Sequence, residues 1–128
     1  MCLLKIDSAT ISFKPFISSS SLPIFSVRDM GESISSRRKA SKFLLSLDVS
    51  DKNWDDLPGQ IEDAIVFLER YSIELRRLFV TVPDAKGYLD FPINSRMGSE
   101  VASQCDHFPV RLIQLAGAVG LGIELTQY

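Results

Sequence analysis

Imidazoles and thiols are scarce in this chain: His107 is its one histidine, and Cys2 and Cys105, its two cysteines, lie at opposite ends of 128 residues. Most hydrolytic, redox and metal chemistries converge several such groups on one site. With no second histidine, a typical histidine-based metal shell is excluded. Long apolar runs are missing as well, and no stretch approaches the roughly 20 uncharged apolar residues of a membrane helix. The short apolar start, Met1 to Leu4, is interrupted by Lys5 and Asp7 before the hydrophobic region of a signal peptide forms. These absences predict a cytoplasmic protein with no membrane contact. Two free thiols fit that compartment, with a disulfide as the alternative.

A basic excess is also absent. The formal net charge is −2, which gives no bulk electrostatic reason to bind nucleic acid. Arg37-Arg38-Lys39 stands among serines and could touch a phosphate, but three bases without interleaved aromatics fall short of a nucleic-acid signature. The glycines Gly117, Gly120 and Gly122 end a helix and begin a strand. A phosphate-cradling loop requires the opposite order, strand into helix. No internal repeat is present.

What remains is an ordinary folding chain. Apolar residues make up 45% and charged residues 23%, near the globular average, and the length predicts one domain, residues 1–128, able to bury a core. Ala9, Ile11 and Phe13 alternate with Thr10, Ser12 and Lys14, which predicts a strand. After a serine-rich connector, Leu22 to Val27 reads as a second, edge-type strand because of Pro23. The polar, cationic stretch Gly31 to Ser41 reads as a mobile loop. A third strand spans Lys42 to Val49, with Phe43, Leu45, Leu47 and Val49 on one face and Leu44 as an exception on the other.

The longest predicted element is a helix from Leu57 to Arg77, with Asp56 as N-cap and Pro58 in the first turn. Ile61, Ala64, Ile65, Leu68 and Leu75 share one face. Val66 and Ile73 fall on one flank, Phe67 and Tyr71 on the other, leaving a narrow polar strip of Asp63, Arg70, Glu74 and Arg77. So wide a stripe predicts neighbours beside the helix as well as a sheet beneath it, or a partner on one flank. Leu78 to Val82 reads as a strand, hairpinned through Asp84-Ala85-Lys86-Gly87 to Tyr88–Ile93. Asn94 to Gln104 is a polar loop. A second helix is predicted from Phe108 to Val119, with Asp106 as N-cap and Gly120 as the stop. Leu121, Ile123 and Leu125 then alternate as a final strand, placed in the sheet interior because it follows its helix closely. The expected class is α+β: a mixed, largely antiparallel sheet with two helices packed on one face.

Two constellations could carry function. Seven acids (Asp48, Asp51, Asp55, Asp56, Glu62, Asp63, Glu69) stand against Lys52 alone between residues 48 and 69, a local balance of −6. Residues 1 to 47 carry seven bases against three acids, a balance of +4. The chain is therefore dipolar. Its acids either complement the helix dipole or steer a basic partner. In the second case Trp54, Asp55, Asp56, Glu62, Asp63 and Glu69 form the candidate partner-binding surface, with Trp54 as its aromatic anchor; a Trp54 folded back over the helix start is the alternative. Asp55, Asp56, Glu62 and Asp63 could also serve as paired carboxylates in hydrolysis or magnesium binding, although nothing in the sequence fixes their separation. The other constellation is Cys105-Asp106-His107, at a helix start that could lower a thiol pKa. Adjacency alone does not make a dyad, and a capping segment with a surface histidine explains the same residues.

From Trp54 to Tyr128 the order of a long helix, an apolar stretch Leu78–Val82, a Phe91-containing strand and Leu112–Gly120 leading into Leu121-Gly122-Ile123-Glu124-Leu125 resembles small bacterial domains of the type grouped as domain of unknown function 4279. In size, acidity and lack of motifs the chain is similar to bacterial toxin-immunity proteins. The resemblance implies no catalytic residue and no cofactor. It implies a non-catalytic binding protein that covers a basic toxin's active site. An enzyme or ligand-binding domain using Cys105 and His107, or a structural assembly subunit, are the alternatives.

Overall fold

The computed structural model describes residues 1–128. Its first strand, β1 (Cys2–Ser8), buries Cys2, Leu4, Ile6 and Ser8 on one side. It pairs antiparallel with both β5 (Phe43–Ser50) and β6 (Lys86–Ile93), which makes it the central strand. Outside β5 lies β2 (Ile24–Arg28), also antiparallel, and outside β6 lies β7 (Leu121–Gln127), which is parallel to it. The five strands run in the order β2-β5-β1-β6-β7. The one parallel pair follows from α3 (Val110–Val119), which returns the chain to the start of its neighbour between β6 and β7.

A 25-residue helix, α2 (Leu57–Thr81), covers one face of the sheet with α3 beside it. Leu68, Leu75 and Leu78 of α2, Leu112 of α3, and Leu4, Leu45, Leu47, Leu89, Phe91 and Ile93 of the sheet form the fully buried centre. Each such side chain stabilises by about 1.5–3 kcal/mol. The architecture is α+β, mixed and largely antiparallel. No helix is long and apolar enough to cross a membrane.

Several elements differ from the sequence reading. The first strand is Cys2–Ser8, not Ala9–Lys14. The charges that interrupt the apolar start are its outward residues: Lys5 pairs with Asp90 at 2.5 Å and Asp7 with Lys42 at 3.3 Å. The strand ends where the Ser8 hydroxyl accepts from the Thr10 and Ile11 N–H groups and donates to Asp84. A single turn, α1 (Lys14–Ile17), follows, placing Phe13 and Phe16 in the core. The stretch Gly31–Ser41, expected as a loop, contains a small ribbon, β3 (Ser33–Ser35) against β4 (Arg38–Lys39).

Leu78 to Val82 is not a strand. It completes α2, where Leu78 continues the buried face of Leu68 and Leu75, and the Val82 N–H donates to the Leu78 carbonyl. A short run rich in apolar and β-branched residues suits a strand or a buried helical turn equally, and the 3.6-residue period it shares with the preceding helix decides. The predicted hairpin with Tyr88–Ile93 is therefore absent, and β6 instead lies beside β1. Helix α3 starts at Val110 with Pro109 at its N-cap; Asp106 does not cap it. Gly120 stops it in the left-handed region at φ 81°, as expected. The last strand is an edge strand, since only β6 pairs with it. Phe67 and Tyr71 pack inward, but Val66 and Ile73 are 62% and 79% exposed, so no neighbour covers that side of α2.

Candidate functional site

The N-terminus of α2 organises one corner of the molecule. Asp56 caps the helix, its carboxylate accepting from the Gly59 N–H at 2.9 Å. One turn on, Gln60 is fully buried, and its amide donates to the carbonyls of Asn53 and Pro92, each at 3.0 Å. This clamp ties the 51–56 segment to the end of β6. There Asn94 donates its backbone N–H to the Trp54 carbonyl and its side-chain amide to Asp55. The Trp54 indole, 40% exposed, stacks on Tyr128 with centroids 4.5 Å apart and planes 17° apart. Trp54 thus does not fold back over the helix start; it is displayed at the surface against Tyr128.

Beside this corner a cleft of about 640 Å³ opens between the first turns of α2 and the segment leading to α3. Leu57, Pro58, Ile61 and Ile65 give it an apolar floor, Asp55 and Glu62 one charged rim, and Arg96, Cys105, Asp106 and His107 the other. Arg96 is held 2.6 Å from Asp106, and Gln104 binds both that carboxylate and the Arg96 N–H. The Arg96 guanidinium and the Gln104 amide hold the Asp106 carboxyl below its usual pKa. With Arg96 so neutralised, the unpaired charges on the cleft are those of Asp55 and Glu62.

The predicted acids have unequal roles. Asp56 is spent on the cap. Asp63 accepts from Ser50 at 2.6 Å, and Glu69 pairs with Arg111 of α3 at 3.0 Å. Of the six candidate residues' carboxylates, only that of Glu62 makes no hydrogen bond or ion pair. The structure therefore gathers Trp54, Asp55 and Glu62 around the corner and cleft, while Asp63 and Glu69 hold α2 to β5 and α3. Nowhere do three or more His, Cys, Asp or Glu side chains converge as a metal shell would require. Cys105 and His107 both reach the cleft and are exposed, but no hydrogen bond links thiol and imidazole. No disulfide forms, since Cys2 is buried in β1.

Sequence reasoning missed Gln60, Asn94, Arg96 and Tyr128. For Gln60 a signal existed: it falls on the same helical arc as Leu57, Ile61 and Ala64, where a polar side chain needs buried partners. The others become visible only when β6 and β7 bring distant segments to α2. Fold and site together define a small α+β domain with an acidic, aromatic corner beside an apolar-floored cleft. Comparison with protein-family models, with curated proteins and with solved structures finds no match to this chain.

Proposed function

We propose that this domain is a non-catalytic protein-binding module whose acidic corner receives a basic partner. The best-fitting role is that of an immunity protein, which neutralises a bacterial toxin by covering its active site. The observation that carries the reading is the pairing of an exposed Trp54, stacked on Tyr128, with a cleft whose uncompensated charges are acidic. An aromatic anchor next to a pocket is the arrangement in which a few residues supply most of an interface's energy. The apolar floor suits the aliphatic stem of a lysine or arginine, and Asp55 and Glu62 suit its charged head. Carboxylates on the rim speed association more than they add affinity.

The test is co-purification from native lysate, followed by kinetics on whatever basic partner is recovered. Trp54→Ala is expected to speed dissociation at least about tenfold, as loss of a central anchor does. Asp55→Lys is expected to slow association, and added salt to slow it further. A complex whose rates ignore both substitutions and salt refutes this surface. One observation favours a second reading, ligand binding or catalysis at the cleft: Cys105 and His107 share its wall. A Cys105 that alkylates no faster than a model thiol removes that reading.

A further inference from the structure

The outward side of α2 presents an apolar stripe that nothing in the chain covers. Val66, Ile73 and Val80 are 62%, 79% and 78% exposed, and they recur every seven residues. That spacing keeps them within about 40° on a straight helix. They lie opposite the buried arc of Ile61, Ala64, Leu68 and Leu75, so they contribute nothing to the core. A helix carrying isolated exposed apolar residues needs no explanation, but a seven-residue repeat over the whole solvent face defines a seam.

The charges beside the stripe are segregated along the helix. Glu62 and Asp63 flank its N-terminal half, and Arg76 and Arg77 its C-terminal half. Such a face is complementary to itself when reversed. In an antiparallel pair, residues on one side of the stripe meet the same side of the partner helix. Aligning Val66 with Ile73 of a second copy sets Gly59 against Val80 and Glu62 next to Arg76, while Asp63 and Arg77 keep their own partners, Ser50 and Glu74. Glu62 and Arg76 are both exposed and both free of any ion pair in the monomer, so each gains a partner without losing one. The two like-charge meetings at the midpoint are already softened: Glu69 is paired with Arg111, and the Arg70 guanidinium lies over Tyr71.

We infer that the solvent face of α2 is a homodimer interface in which two copies pack their long helices antiparallel about a twofold axis near residues 69 and 70. An isologous contact of this kind closes on itself and stops at two chains. One helix stripe is narrower than a standard interface, so the dimer is weak and concentration-dependent. This inference shares Glu62 with the partner-binding reading but neither Trp54 nor Asp55, and Ile73→Glu, which lies outside the cleft, separates the two.

Sedimentation velocity of the full chain over a wide concentration range tests it. The wild type is expected to move from monomer to dimer as concentration rises. Ile73→Glu, on a largely solvated position, leaves the fold intact by circular dichroism and abolishes the dimer. Glu62→Arg weakens dimerisation by about tenfold or more, and Glu62→Arg with Arg76→Glu restores it. A wild type that stays monomeric throughout overturns the inference. Association that survives Ile73→Glu, or a charge exchange that fails to rescue, places any contact elsewhere and overturns it equally.

Discussion

Replacing Gln60 tests how the candidate site is held together. Its amide fills two acceptors at once, the Asn53 and Pro92 carbonyls, while its own Oε1 is buried without a partner. Gln60→Leu removes that donor from both carbonyls; the part-buried Asn53 carbonyl still accepts from the Asp56 N–H, so the cost of about 1–3 kcal/mol falls on the buried Pro92 carbonyl. Removal of the unsatisfied Oε1 and the added apolar burial offset part of this. The net expected loss is below about 3 kcal/mol, or below roughly 15 °C in Tm for a chain of this size. Gln60→Glu keeps the shape but turns the donor into an acceptor facing two carbonyls, in a site that disfavours charge. At neutral pH it is expected to cost about 3–5 kcal/mol, like other uncompensated buried charges. The sign of its pH dependence follows from the environment. Burial and the two carbonyls raise the folded-state pKa of the introduced carboxyl above its unfolded value. The variant is thus least impaired below the unfolded pKa, and its deficit grows as pH rises through the folded one. Urea denaturation at pH 4 and pH 7, followed through Trp54 fluorescence, measures both effects. Because Gln60 anchors the 51–56 segment, the native emission of Gln60→Leu is also expected to shift to the red as Trp54 loosens. A Gln60→Glu protein as stable as the wild type at pH 7, or one whose deficit ignores pH, refutes the clamp.

Two further outcomes follow from titratable groups. Under native conditions one thiol, Cys105, is expected to react with a chromogenic disulfide, and the second only in denaturant. Burial in β1 hides Cys2 and pushes its thiol pKa far up; two fast equivalents contradict the central position of that strand. The Asp106 carboxyl, lowered by Arg96 and Gln104, adds stability that is present above its unfolded value and lost as pH falls through its folded one. Proteolysis of the 94–109 segment should therefore accelerate below about pH 4, and Arg96→Ala should bring that acceleration to neutral pH; cleavage that ignores both variables refutes the Arg96–Asp106 tie.

Most of the α+β character was legible because it rests on local signals. Leu45 and Leu47 alternate with polar neighbours, Asp56 and Pro58 mark the start of α2, and Gly120 supplies the left-handed stop that ends α3. Where the sequence misled, local signals were balanced and long-range contacts chose. Lys5 and Asp7 look like breaks in an apolar run until Asp90 and Lys42 stand opposite them across the sheet. Leu78–Val82 has strand composition, but the core behind α2 rewards one more helical turn. Asp106 has the residue type of a cap, yet Arg96, ten residues earlier, takes it instead.

The candidate site shows the same division. Its ingredients, Trp54 and the acids of the α2 start, were chosen from the sequence by type and density, because charge and aromaticity are properties of residues. Their roles were not. Which acid is consumed by a cap, a Ser50 hydroxyl or Arg111, and which is left free as Glu62 is, depends on what the fold brings within hydrogen-bonding distance. The cleft beside Trp54 exists only because the segment before α3 returns to the start of α2. Val66 and Ile73 were legible as a flank of α2, but Val80 joins them only because Leu78–Thr81 is helical, and the exposure of all three was decided by where α3 packs. Composition and periodicity are carried by neighbours in the chain, so they specified elements and charge; partnership and exposure arise between residues far apart in it, so only the tertiary structure could assign them.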